Sequence, residues 1–160
     1  MGRLDERLAA HKTLGLDCCI FIYHVEAHPG YLPLTRELLD GVESGRWQAV
    51  VSTIALMELT VRPWQAGRPA AARAYEALLA HFPHLTLVDV TRDVARRAAQ
   101  LRARYAIPPV DALHAASVLV HGATAFVSND RRLARLAPEL DVVILDDLIG
   151  ARHPRMDSTD

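Results

Sequence analysis

The run Ser52-Thr53-Ile54-Ala55-Leu56-Met57-Glu58-Leu59-Thr60-Val61 holds one carboxylate among side chains that are otherwise apolar or hydroxyl-bearing. An ionised group in low dielectric is costly unless it is paired, hydrogen-bonded or bound to a metal. The apolar spacing reads as a helix with Glu58 in its interior, so capping does not account for the charge. Its neighbours three and four positions away are Ile54, Ala55, Val61 and Arg62. Two placements follow: an ion pair with Arg62 on an outer surface, or a polar crevice beside the strands. Three aspartates favour the crevice. Asp17 ends the run TLGLD, Asp130 follows AFVSN, and Asp111 opens a helical segment after the break IPP. Each alone is also a good N-cap or first-turn residue. Four acids at one place repel and raise one another's pKa, and such a cluster is tolerable mainly around a divalent cation. Oxygen ligands select a hard ion, Mg²⁺ or Mn²⁺. One or two such ions make water nucleophilic and stabilise a leaving oxygen, which is the chemistry of phosphoryl transfer and of nucleases. No lysine, cysteine or serine nucleophile is required, which suits a chain whose only lysine is Lys12.

The elements that must position these acids are short apolar runs alternating with longer segments of helical period. TLGLD, WQAVVS, LTLVDV, ATAFVS and DVVILD read as strands. Between them CCIFIYHVEA, LTRELLDGVESG, TIALMELTV, AAARAYEALLAHF, TRDVARRAAQLRARY, VDALHAASVLVHG and DRRLARLA read as helices, with Thr91 an N-cap and Gly122 a terminator. This alternation predicts an α/β domain: a mainly parallel central sheet flanked by helices on both faces, in three layers. In such sheets ligands bind beyond the carboxyl ends of the strands. Residues 1–150 are expected to form the single domain, and the polar residues 151–160 a frayed tail.

With 160 residues, 51% hydrophobic and 23% charged, the composition is that of a globular chain. No apolar run reaches the roughly 20 residues a membrane span needs, and the charged start MGRLDERLAAHKTLG lacks the apolar stretch of a secretory signal. No membrane partner and a cytoplasmic location are the expectations. The adjacent Cys18 and Cys19 read as buried free thiols. A net charge of −1 gives no global sign of nucleic-acid binding, so any such surface must be local and built from arginine.

The stretches LDCCIFIY around Asp17, STIALMELTV around Glu58, IPPVDALHAA around Asp111 and AFVSND ending at Asp130 resemble, in that order, the PIN-domain family. Within it they resemble the VapC-like ribonuclease toxins of toxin–antitoxin pairs. The resemblance runs from about Thr13 to Leu148. It implies that Asp17, Glu58, Asp111 and Asp130 are the catalytic and metal-binding quartet, holding one or two Mg²⁺ or Mn²⁺ ions, with Ser128 orienting the site. The implied activity is metal-dependent hydrolysis of RNA phosphodiester bonds by activated water. Implied partners are an RNA substrate, a cognate antitoxin that inhibits the enzyme, and a second copy in a homodimer. The sequence departs from the family at Cys18 and Cys19, where threonine or serine and often asparagine are usual, and a thiol is a poor donor to a carboxylate. It departs again at His114, where an aliphatic residue is common; one turn after Asp111, it reads first as a packed histidine and second as a contact to a phosphate or the partner chain.

Arg131 and Arg132 follow Asp130 directly and read equally as contacts to RNA phosphates or as solvated helix residues. Arg68 in the predicted loop RPWQAGRP is a further candidate for substrate, and Trp64 there reads first as core or partner packing and second as a stack on a base. His24 and His28 have a zinc-like spacing without the His-Glu-x-x-His pattern, and chance spacing is the reading adopted. Arg96, Arg97, Arg102 and Arg104 read as a solvated face. Phosphatases of the haloacid-dehalogenase type need an Asp-x-Asp pair where Asp17 is followed by two cysteines, receiver domains need a late lysine, and no Gly-x-x-x-x-Gly-Lys loop exists. The competing reading is a catalytically weak or inactive PIN-like scaffold that binds RNA or protein.

Overall fold

The computed structural model describes residues 3–149; the expected tail at 151–160 lies outside them. Five strands, β1 (Thr13–Leu16), β2 (Gln48–Ser52), β3 (Leu85–Val88), β4 (Ala125–Ser128) and β5 (Asp141–Ile144), form one sheet in the order β3-β2-β1-β4-β5. All four pairings are parallel. Parallel neighbours need crossovers. Helices α2 (Cys18–Val25) and α3 (Leu32–Glu43) join β1 to β2. Helices α4 (Thr53–Gln65) and α5 (Pro69–His81) join β2 to β3, and α6 (Arg92–Tyr105) and α7 (Pro109–Val120) join β3 to β4. A 3₁₀ turn at Arg131–Leu136 lies between β4 and β5, α1 (Arg3–Leu8) precedes the sheet and α8 (Leu145–Ile149) follows it.

The strand period of two sorts the core into two layers. Leu14, Leu16, Ala49, Val51, Ala125 and Val127 pack with apolar residues of α1 to α5. The alternate positions Val50 and Phe126 pack with Val94, Ala98 and Leu101 of α6 and with Ala112, Ala115 and Val118 of α7. The three-layer expectation holds, and its cause is visible: strands buried on both faces read as unbroken apolar runs.

Close packing fixes α7 against β1. A Cβ at Gly15 would lie 2.7 Å from Val118 Cβ and 2.8 Å from a Phe126 ring carbon, so only glycine lets the helix approach this closely. Ser117 Oγ adds a hydrogen bond of 3.1 Å to Ser52 Oγ, and Ser52 in turn N-caps α4 by accepting from the Ile54 N–H at 3.2 Å. The helices that carry the acids are thereby tied to each other through the end of β2.

Three local expectations change. Trp47, read as the start of a strand, lies before β2 and is buried against Gly41 of α3. The predicted loop RPWQAGRP is shorter, because α4 continues through Pro63 to Gln65; the proline falls in the last turn, where its missing N–H costs a single ladder bond. The short helix DRRLARLA is 3₁₀. Helices α1 and α8 have six and five residues, too few for a periodic pattern to reveal them.

Candidate metal centre

The chain builds β1, β2 and β3 outward in one direction and then crosses to β4 on the other side of β1, so the strand order switches between β1 and β4. A crevice forms at such a point beyond the carboxyl ends of the strands. Asp17 is the first residue past β1. One of its oxygens accepts from the Cys18 N–H at 2.7 Å, capping α2, and the other accepts from Ser128 Oγ at 2.6 Å. Ser128 is the fully buried last residue of β4, and its hydroxyl also accepts from the Asp130 N–H at 3.1 Å. Ser128 therefore ties the Asp17 carboxylate to the Asp130 backbone.

Glu58 does not turn to Arg62. It is hydrogen-bonded to Nε2 of His114, whose side chain is 3% exposed. That bond holds Glu58 below the usual carboxylate range against the opposing effect of its burial. Burial alone would push the His114 imidazole down, but the bond to Glu58 and the charges of Asp17 and Asp111 outweigh it and leave its pKa raised. The Cys18 thiol lies against Asp17 and Glu58; burial and these charges push its pKa strongly upward, so it stays protonated as a weak donor. Cys19 is raised by burial and by Asp17. Both thiols are free and only partly buried.

Asp111 sits in the first turn of α7. Its pKa is raised, first by burial and then by the charge of Asp130, with Arg132 opposing and Asp17 adding to the rise. Its Oδ2 is buried with no hydrogen-bond partner, and so is Nδ1 of His114. Asp130 N-caps the 3₁₀ turn through the Arg132 N–H at 3.0 Å and is gripped by the Arg132 guanidinium at 2.7 Å, which holds its pKa down. The same guanidinium stands 3.8 Å from Asp111.

The four acids fall into two groups, near enough for the charge of Asp17 to act on Asp111. Asp17, Glu58 and His114 each present a ligand atom within 4.8 Å of the others. Asp111 and Asp130 are bridged by Arg132. The expectation that the acids repel with only a dication to quench them needs correction, since His114 and Arg132 already balance part of the charge. The carboxylate oxygens still fit a hard divalent cation, and one of them, Asp111 Oδ2, is buried with no hydrogen-bond donor.

The other predicted contacts are redistributed. His114 faces inward to Glu58 and is 3% exposed. Arg131 pairs with Asp147 at 2.8 Å on the exposed side, and Arg132 turns to Asp130. Arg68 stands before α5 and lines a cavity of about 600 Å³ that also touches Cys18 and Glu58. Trp64 lies on the last turn of α4 and is 58% exposed. His24 meets Thr35, while His28 accepts from the Gly30 N–H, so the two do not form a pair. Sequence reasoning missed Asn129, whose Oδ1 accepts from the Asp146 N–H at 3.0 Å and whose amide donates to Tyr23 OH at 3.4 Å. A polar triplet, Ser128-Asn129-Asp130, at a strand end is the signal that pointed to it.

Comparison with known proteins agrees with this fold. The family model of the PIN domain matches residues 15–138. The fold is similar to that in the crystal structure of VapBC2 from Rickettsia felis bound to a DNA fragment from their promoter, at 18% identity and a TM-score of 0.62, covering 82% of this chain and 98% of that one. It is similar to DNA-bound VapBC from Salmonella typhimurium at 20% identity and a TM-score of 0.60, covering 84% and 98%. FitAcB from Neisseria gonorrhoeae gives 17% identity and a TM-score of 0.62, covering 82% and 97%. No curated protein matches in sequence. A five-stranded parallel sheet with acids gathered at its switch point, matched by the family model over most of its length, makes this chain a member of the PIN domain family.

Proposed function

We propose that the protein is a Mg²⁺- or Mn²⁺-dependent endoribonuclease of the toxin kind, inhibited by a cognate antitoxin. The observation that carries this reading is the grouping of Asp17 and Glu58 at ligand distance, with Asp111 and Asp130 joined by Arg132 and close enough for the charges of Asp130 and Asp17 to act on Asp111, one of whose oxygens is buried without a hydrogen-bond donor. Asp17, Glu58 and Asp111 would hold the ion, with Asp130 completing the cluster. A bound divalent ion supplies a nucleophilic water near neutral pH and neutralises charge on the phosphodiester. The chain's own residues set the stage. Ser128 fixes Asp17 and the Asp130 backbone, His114 holds Glu58, and Arg132 is released from Asp130 to meet a phosphate.

The antitoxin reading rests on the fold shared with the VapBC and FitAcB structures and on the cavity of about 600 Å³ between α2, α4 and α5. Ile22, Val25, Leu59 and Tyr75 give that cavity apolar walls, with Arg62 and Arg68 among them, and it opens onto Glu58. An amphipathic segment lying there would cover the acid centre.

The test is cleavage of total RNA with Mn²⁺ or Mg²⁺. Cleavage is expected to stop with chelator and in Asp111→Asn. RNA cleavage that survives both overturns the mechanism. The scaffold alternative is separated by melting: Mn²⁺ should raise the melting temperature of the wild type and not of Glu58→Gln, and no shift in either favours the scaffold.

A further inference from the structure

We infer that the cavity beside the acid centre is a nucleobase site, with Tyr23 as its stacking wall, for a base of single-stranded RNA flanking the cleaved bond; this rests on the endoribonuclease reading. The cavity measures about 310 Å³ and is lined by Asp17, Ser128 and Asp130 of the acid centre together with Tyr23, Asn129 and Arg131. A phosphodiester bound at the acids has a nucleoside on each side, and a cavity that shares Asp17 and Asp130 with the centre receives one of them.

Tyr23 is set in place for this task. Its ring stacks on Tyr31 with centroids 4.3 Å apart and planes 25° from parallel, and His28 packs against it at 5.2 Å. Of the stacked pair, Tyr23 lines the cavity. Asn129 donates to Tyr23 OH at 3.4 Å and is itself held by the Asp146 N–H, while Tyr31 OH donates to Asp146 Oδ1 at 2.5 Å. An aromatic wall fixed before binding loses little freedom when a base arrives. Stacking accepts every base, because each has a π-face, so the site fits single-stranded RNA without demanding one sequence. Arg131 is 63% exposed at the rim, where its guanidinium can leave Asp147 for a backbone phosphate.

The test uses a short single-stranded RNA carrying one 2-aminopurine, whose fluorescence is quenched on stacking. In the Asp111→Asn background, bound RNA should be quenched with Tyr23 or Tyr23→Phe and unquenched with Tyr23→Leu. In the cleaving enzyme, Tyr23→Leu should raise KM about five- to hundredfold with a smaller change in kcat, and Tyr23→Phe should match the wild type. Wild-type cleavage with unchanged KM in Tyr23→Leu overturns the base site and leaves the nuclease reading intact. A wild type that neither binds nor cleaves RNA removes both. If Tyr23→Leu does not fold, the Asp111→Asn protein decides: bound RNA whose probe stays bright with 2-aminopurine at every position overturns the inference.

Discussion

Asp111 keeps a buried carboxylate oxygen without a hydrogen-bond donor, and burial with the charges of Asp130 and Asp17 outweighs Arg132 and His114, so its ionisation works against the fold. The sign follows from linkage. A carboxyl whose folded pKa is raised binds its proton more tightly in the folded chain than in the unfolded one. Stability is therefore lost as pH climbs from the ordinary aspartate value through the raised one, and the penalty is fully present above it. Asp111→Asn should raise the melting temperature of the metal-free protein near neutral pH by a few degrees, the size that about 1 kcal/mol produces. The gain should close as pH falls below about 4. Melting curves across pH check this, and a loss of stability at pH 7 contradicts it. The same variant should lose cleavage, so stability and function part company at this residue. His114 behaves in the opposite way. It holds Glu58 by a bond inside the protein, and removing a hydrogen bond to a metal-binding carboxylate costs about 10- to 100-fold in affinity. His114→Leu should weaken Mn²⁺ binding by that factor in calorimetric titration, and His114→Gln, which keeps an N–H donor, should recover most of it. Equal or tighter binding by the leucine variant would show that the imidazole only occupies the place of a cation.

At the scale of elements, the centre depends on how closely α7 approaches β1 and how α4 is tied to α7. Gly15→Ala would set a methyl group 2.7 Å from Val118 Cβ in a fully packed layer. Overpacking of this kind costs about 1–3 kcal/mol. Denaturant melts should show that loss, and a neutral substitution would mean that α7 can move outward freely. Much of this architecture was legible in the sequence. The five apolar runs are all strands, because a strand buried on both faces cannot hide its pattern, and Asp17 and Asp130 fall just past the ends of β1 and β4. What the sequence left open was side-chain direction. Arg62 is one turn from Glu58 along α4, yet the partner is His114 on α7, a contact between helices distant in the chain. Nothing in local spacing encodes that pairing, although a histidine in the apolar run DALHAASVLV is a residue needing a partner, by the same logic that singled out Glu58. The Arg132 clamp across Asp111 and Asp130 was hidden for the same reason, since a 3₁₀ turn aims its side chains differently from an α-helix.

At the scale of the molecule, α4 presents two different faces. One buries Ala55 and Leu59 and aims Glu58 at the crevice; the other exposes Met57, Val61 and Trp64 at 55, 45 and 58% of their surface. Single exposed apolar residues are ordinary, but three at helical spacing on one face form a continuous stripe ending in a tryptophan, the composition of a contact surface. A second copy docked there satisfies the stripe without obstructing the cavity of about 600 Å³, whose α4 lining comes from Glu58, Leu59, Arg62 and Pro63. The homodimer and the antitoxin would then use separate faces of the same helix. Sedimentation should show a dimer for the wild type and a monomer for Trp64→Glu, which places a charge on the tryptophan end of the apolar contact. Because the stripe points away from the acids, the Mn²⁺-induced rise in melting temperature should persist in the monomeric variant. A monomeric wild type removes the dimer, and a dimeric Trp64→Glu moves the interface to another surface. A monomer that also loses its response to Mn²⁺ would mean that the partner copy is needed to hold α4, and Glu58 with it, in place.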